Sequence, residues 1–351
     1  MSSQPKTTVL VTGATGYIGG SVLNRLLTLP DAQSKYEFRA VVRNAEKAKK
    51  LADGFGVRPV IGSHSDKELM SKEAAEADVI VAMADCDDLD AATAINAGMK
   101  KRFEATGKRP ILIHTSGTGV IVDNALGEYT SDFIWDDENV AQIAESIPPN
   151  ALHRAPELKV FSADEEGYAK TYIVCPSIIY GAAHHPLVDA GIANSRTMIF
   201  KMLVSMAVKR GYGVTVGKGE NVWANVHIDE VADLFVLLFT SILKDSNKIP
   251  HGKEGYFFAG ADEHKNVQEY SEVAKTLFDL GKVKSAELTP LTGEEAKEFF
   301  GDYAALYLAA LGGNARCVSN RAKKLGWRPK RTTKDFIGSI KDEIEYLVDA
   351  L

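Results

Sequence analysis

In the first half of the chain apolar residues fall in short runs, "TTVLVTG", "EFRAVVR", "RPVIG", "ADVIVAMA", "RPILIHTS" and "KTYIVCPS", each bounded by Gly, Pro or charge. Between them lie segments such as "GGSVLNRLLTL" and "AATAINAGMKKRFEATG", whose apolar residues recur at helical spacing. Strand and helix in alternation predict a parallel sheet covered by helices on both faces, since each crossover helix must pack on the sheet it leaves. The expected class is α/β, a doubly wound parallel sheet.

After Gly181 the rhythm changes. Helical patterns dominate ("RTMIFKMLVSMAVKR", "VQEYSEVAKTLFDLG", "TKDFIGSIKDEIEYLVDAL"), and only "EGYFFAGAD" reads as a further core strand. The expected division is a sheet domain from residues 1–180 and about 216–262, and a smaller, mainly helical lobe from about 181–215 and 263–351. The cleft between them is the default binding site.

With 45% hydrophobic and 25% charged residues in 351, the composition is that of a soluble globule. A formal charge of -6 and a pI near 5.8 disfavour nucleic acid and anionic membrane as partners. The start "MSSQPKTTVLVTG" lacks a signal-peptide pattern, and no apolar run approaches the roughly 18 residues of a membrane span, so the cytoplasm is expected. Cys86, Cys175 and Cys317 have no metal-ligand or redox spacing, and no metal is expected. No sequence feature bears on oligomeric state.

Candidate chemistry begins at "VLVTGATGYIGG", where Gly13, Gly16 and Gly19 fall between the first strand and the first helix. Gly13 permits the tight turn, Gly16 lets the backbone approach a pyrophosphate, and Gly19 lets helix pack closely on strand. This is the phosphate loop of a Rossmann-type dinucleotide site, with Thr15, Tyr17 and Ile18 inside it. Ala84, Thr115, Pro176 and Ser177, at the ends of later strands, are expected beside the same cofactor. Where an NAD site offers an acidic residue to the ribose, this chain has Arg43, with Lys47 one helical turn on. Two cations suit a 2'-phosphate, so the cofactor expected is NADP(H).

These segments resemble the extended short-chain dehydrogenase/reductases, the epimerase and dehydratase-like group. "TGATGYIGG" is similar to the group's glycine motif, "CPSIIYG" to its post-catalytic strand and turn, "VHIDEVADL" to its Val-His-x-Asp-Asp-Val-Ala segment and "RAKKLGWRP" to its Leu-Gly-Trp-x-Pro element. The resemblance implies a Tyr-x-x-x-Lys pair with an upstream Ser or Thr, yet none of the twelve tyrosines has a lysine four residues later. Family spacing back from "CPSIIYG" puts His153 near the lysine position and Pro149 near the tyrosine position. Ser116 lies one place before the usual serine, Gly117 occupies its place and Thr118 follows, while Asn96 is one residue off the auxiliary asparagine. The altered tetrad resembles the atypical, epimerase-annotated subgroup, and "TSGTG" with a later His-Arg resembles a fungal branch of it.

Ser116 and Thr118, at the carboxyl end of a central strand, and His153 are the catalytic candidates. Arg154 is expected to make a weak surface pair with Glu157 at i+3. Tyr180 is read as packing, His227 and Asp229 as fixing the lobe junction, and "DCDDLD" at 85–90 as a solvated helix start. His184 and His185 lack metal partners at ligand spacing, and Tyr129 is a remote proton-donor candidate. The expected function is NADPH-dependent reduction of a small carbonyl or conjugated metabolite. The alternatives are an NADP(H)-binding redox sensor of the NmrA-like type and, third, a nucleotide-sugar epimerase or dehydratase.

Overall fold

The computed structural model describes residues 5–349, so residues 350–351, assigned above to the helical lobe, and residues 1–4 lie outside the described residues. Seven strands form one parallel sheet: β1 (Thr7–Thr12), β2 (Tyr36–Val42), β3 (Arg58–Ile61), β4 (Val79–Ala82), β5 (Ile111–Thr115), β6 (Lys170–Pro176) and β7 (Tyr256–Ala259). Their order is β7-β6-β5-β4-β1-β2-β3. Successive side chains of a strand point to opposite faces. Leu10, Ile80, Leu112 and Ile173 enter one core, and Val9, Val11, Val81, Ile113 and Val174 enter the other. Strands apolar on both faces are stable only between two helical layers.

β1 pairs with β2 through Val9 opposite Phe38, and with β4 through Val9 opposite Val79. The chain builds outward from β1 to β3, then returns and builds from β4 to β7 the other way. The loops after β1 and β4 therefore diverge at their carboxyl ends, which opens the crevice where doubly wound sheets bind ligands.

The second half holds more strand than its helical pattern implies. Ile178–Tyr180, Val222–His227 and Asp262–Lys265 form a three-stranded sheet, and two further two-stranded pairs join Tyr212–Thr215 to Ser285–Pro290 and Trp135–Asp136 to Cys317–Val318. "EGYFFAGAD" supplies the strand added to the main sheet, but not all the strand that follows Gly181. "VWANVH" is a short run interrupted by Asn225, whose buried amide donates to Thr333 Oγ1 at 3.0 Å. The polar residue that hides the strand in the sequence ties it to the last helix.

The late "LGWRP" element is tied down in the same way. Trp327 Nε1 donates to the Glu230 carbonyl at 2.8 Å, and Glu230 Oε1 accepts from the backbone of Lys330 at 2.6 Å and of Arg331 at 3.0 Å. Glu230 lies in the helix Ile228–Lys244, so the carboxyl-terminal segments are anchored to a helix that belongs to the core of the main sheet. Among the described residues no helix is long and apolar enough to cross a membrane.

Candidate active site

The glycine loop has the backbone its spacing implies. Gly13 has φ +72°, and a Cβ there would lie 2.2 Å from the Met83 carbonyl oxygen. A Cβ on Gly19 would lie 2.1 Å from the Gly13 carbonyl oxygen, so helix and strand meet at a distance only glycine allows. Gly16 is the N-cap of the helix Tyr17–Leu27, and no side chain caps that end. The helices that follow β2, β3 and β4 are capped by Asn44, Asp66 and Asp88. An uncapped first turn leaves backbone N–H groups and the positive helix end available to an anion.

A cavity of about 440 Å³ over this loop is lined by Gly13, Thr15, Gly16, Arg43, Lys47 and Ala84 among others. Among the described residues Arg43 and Lys47 have no ion-pair partner, whereas Lys49 pairs with Asp53 and Lys50 with Glu46. Free cations beside an uncapped helix start suit an anionic ligand, and the donor set fits the phosphates of a nicotinamide dinucleotide. Tyr17 contributes differently from its neighbours: its hydroxyl donates to the Gly181 carbonyl, and burial raises its pKa. Asn194 N donates to the Thr15 carbonyl at 3.1 Å, closing the lobe over the loop.

A second cavity of about 470 Å³ shares Gly16, Met83, Ala84 and Asn194 with the first. It is walled by Tyr17, Ile18, Gly117–Gly119, His153 and Pro176–Ile179, with Arg196, Met198 and Trp223 opposite. Loop and cleft thus form one continuous channel. Pro176, Ser177, Ala84 and Ile18 line it; Ser177 Oγ also donates to the Ala259 carbonyl at 3.1 Å. Thr115 lies instead on a crevice of about 20 Å³ with His64, Cys86 and His114, its Oγ1 buried without a partner.

His153 is the N-cap of the helix Arg154–Glu165 and has φ +66°, the left-handed region unusual for a residue with a Cβ. Its Nδ1 donates to Asp87 Oδ1 at 2.7 Å, with Cys86 Sγ 3.3 Å away. Burial opposes charge on the ring, but the Asp87 hydrogen bond and the Cys86 contact outweigh it, and its pKa is pushed up to about 10. The same hydrogen bond holds the Asp87 carboxyl below its ordinary value. Nε2 faces the strand-end loop: a Cβ on Gly117 or Gly119 would lie 3.1 Å from it. Two glycines in "TSGTG" leave room for the imidazole edge. "DCDDLD" is therefore only partly a solvated helix start. Asp88 caps the helix Leu89–Thr106, while Asp87 reaches across to His153.

Arg154 and Glu157 require a correction. Their side chains are 1% and 0% exposed, 3.0 Å apart, so the pair is a buried one and not a weak surface contact. Arg154 also donates to the carbonyls of Ile143 at 2.8 Å and Ala144 at 3.2 Å. Glu157 Oε1 accepts from Ser116 Oγ at 2.6 Å and from the Tyr256 hydroxyl at 2.7 Å. Burial raises the Glu157 pKa, and these donors oppose it. The i,i+3 spacing identifies the partners but carries no information on what covers them.

The network separates the two hydroxyl candidates. Ser116 donates its hydroxyl hydrogen bond to Glu157 and is absent from the cleft wall; Thr118 lines the cleft, with Oγ1 buried and unpartnered among the described residues. Asn96 Nδ2 donates to the Lys159 carbonyl at 2.6 Å, a link between helices. Tyr180 is buried in packing, and Tyr129 is 53% exposed and outside the cleft lining. His227 accepts from Asp229 N at 3.2 Å as a helix N-cap, and His185 Nε2 lies 3.4 Å from Ser21 Oγ.

Comparison with known proteins bears on the fold. The NmrA-like family model matches residues 5–101, which span the glycine loop and β1 to β4. The oxidase ucsJ of an Acremonium species is 29% identical over 344 residues, 92% of each chain. Among solved structures, the UDP-glucose 4-epimerase of Thermotoga maritima, in complex with UDP-glucose, superposes with TM-score 0.61 at 17% identity, over 98% of this chain and 99% of that one. The PbgP3 protein of Burkholderia pseudomallei superposes with TM-score 0.65 at 16% identity, over 99% and 98%. The solved structures establish the fold, and the family match over residues 5–101 is consistent with the resemblance to the extended, atypical short-chain dehydrogenase/reductases.

Proposed function

We propose that this NmrA-like chain, of the extended and atypical short-chain dehydrogenase/reductase type, is an NADPH-dependent oxidoreductase that reduces a small carbonyl or conjugated metabolite. The observation that carries the reading is the channel itself: an uncapped glycine loop with two cations that are unpaired among the described residues at one end, and an imidazole edge at the other. The amides of the loop and Arg43 and Lys47 would hold the phosphates. Bound there, the dinucleotide supplies the hydride.

The remaining work falls to the protein. His153, held through Nδ1 by Asp87, donates the Nε2 proton to the oxygen that gains charge as the carbonyl carbon accepts hydride, in place of the missing tyrosine and lysine. Thr118 Oγ1 offers an uncommitted hydroxyl to the same oxygen or to the cofactor's amide. Met198 and Ile199, from the segment expected to form the substrate lobe, and Trp223, from the segment expected to belong to the sheet domain, give this wall an apolar surface that favours an apolar substrate body. The balance is one carbonyl, one hydride and one proton to one alcohol.

The test is steady NADPH consumption across a broad panel of aldehydes, ketones and enones. The NmrA-like match and the absent tyrosine favour a second reading, a redox-responsive NADP(H)-binding protein. Tight binding without turnover, and a conformation that differs between NADPH and NADP, decides for it.

A further inference from the structure

We propose that Cys86, Asp87 and His153 form a site for one divalent transition metal of the zinc class, held by the Cys86 thiolate, an Asp87 carboxylate oxygen and His153 Nδ1. The three donor atoms lie within 4.8 Å of one another. Sulfur and nitrogen are 3.3 Å apart, nitrogen and carboxylate oxygen 2.7 Å. Tetrahedral zinc with these donors requires separations of roughly 3.3–3.6 Å, so Asp87 must retreat by about 0.6 Å or more from its 2.7 Å contact. It can, because its side chain is 48% exposed, whereas His153 is 15% exposed and fixed.

The mixture of thiolate, imidazole and carboxylate discriminates by chemistry. Magnesium and calcium prefer all-oxygen shells, while zinc and cobalt accept sulfur and nitrogen. The turn carrying two of the ligands is pinned on both sides: Asp87 N donates to Asp85 Oδ1 at 2.9 Å, and Ala91 N to Asp88 Oδ1 at 2.8 Å. The third ligand is held in a left-handed conformation that its surroundings must hold in place. Three protein donors leave a position open, the pattern of reactive rather than structural zinc.

Loading is balanced in charge. The thiol proton and the Nδ1 proton leave to solvent as the two metal bonds form, so two protons exchange for one dication. With Nδ1 ligated, the ring keeps its hydrogen on Nε2, the edge that faces the cleft. Metal on Nδ1 would replace the Asp87 hydrogen bond that holds the ring in the metal-free chain, while Nε2 stays toward the cleft; the proposal does not rest on the proton-donor assignment.

Cobalt(II) titration of the purified full chain tests it. We expect uptake of one cobalt per chain, a thiolate-to-cobalt charge-transfer band and the strong visible bands of four-coordinate cobalt. Cys175 and Cys317 are buried, so the band reports Cys86. Cys86→Ser should abolish it, and Asp87→Asn should weaken uptake by roughly 10-fold or more. No stoichiometric uptake, a pale six-coordinate spectrum, or a charge-transfer band that survives Cys86→Ser overturns the proposal. None of these readouts depends on NADPH affinity or turnover, so this site and the oxidoreductase reading fail separately.

Discussion

His153 Nδ1 and Asp87 Oδ1 lie 2.7 Å apart although 66 residues separate them in the chain. The contact joins the loop after β4 to the start of the helix Arg154–Glu165 and turns the opposite edge of the imidazole toward the cleft. If this pair supplies the proton, His153→Gln lowers kcat by about 100-fold or more while NADPH affinity stays within a factor of about two. Asp87→Asn lowers kcat in the same direction by a smaller factor. Normal turnover per folded molecule in His153→Gln would move the proton source to Thr118.

Glu157→Gln should act on stability first. It leaves the Arg154 guanidinium, 1% exposed, without its counter-charge, at a cost of about 3–5 kcal/mol in denaturant unfolding. A loss below about 1 kcal/mol is the scale of an exposed pair and would contradict the buried network.

The proposed cofactor selection involves other residues. Arg43→Ala should reduce the preference for NADPH over NADH by roughly 10-fold or more, since a charge-assisted contact to phosphate is worth about 1.5–3 kcal/mol. Gly16→Asp should abolish binding of both by setting a carboxylate where the pyrophosphate lies. Equilibrium fluorescence titration measures each, and an unchanged NADPH to NADH ratio in Arg43→Ala would remove the basis for the 2'-phosphate assignment.

Acid stability should carry the mark of His114. Burial, with the nearby His153 charge adding, pushes its pKa from 6.5 down to about 4. The unfolded chain therefore takes up this proton below pH 6.5 while the folded chain resists it to about pH 4. Stability from this group is complete above pH 6.5 and falls by about 3 kcal/mol as pH drops to 4. His114→Gln should flatten that part of the unfolding-against-pH curve. An unchanged slope would show that other groups carry it.

Much of this was legible in the sequence because it depends on local rules. Two-sided apolar strands and the glycine turn at Gly13 each carry their meaning within a few residues. Val222–His227 was not legible, since Asn225 breaks its apolar pattern and finds its partner, Thr333, 108 residues away. Asp87 was read as solvated for the same reason: acidic clusters at helix starts ordinarily are, and only tertiary structure brings His153 to one member. Ser116 and Thr118 are two residues apart on one strand end, and their different surroundings follow from Glu157, on a helix the sequence could place but not orient.

If the channel joins a nicotinamide cofactor to a carbonyl beside His153, hydride must pass from the nicotinamide C4 position to the carbonyl carbon. NADPH carrying deuterium at C4, incubated with the wild-type chain and the carbonyl panel, tests this directly by mass spectrometry of the products. The expected result is an alcohol bearing one deuterium at the former carbonyl carbon, formed by the wild type and reduced about 100-fold or more in His153→Gln at saturating cofactor. Saturable NADPH binding with no deuterium in any product would contradict hydride transfer and leave a binding protein in its place.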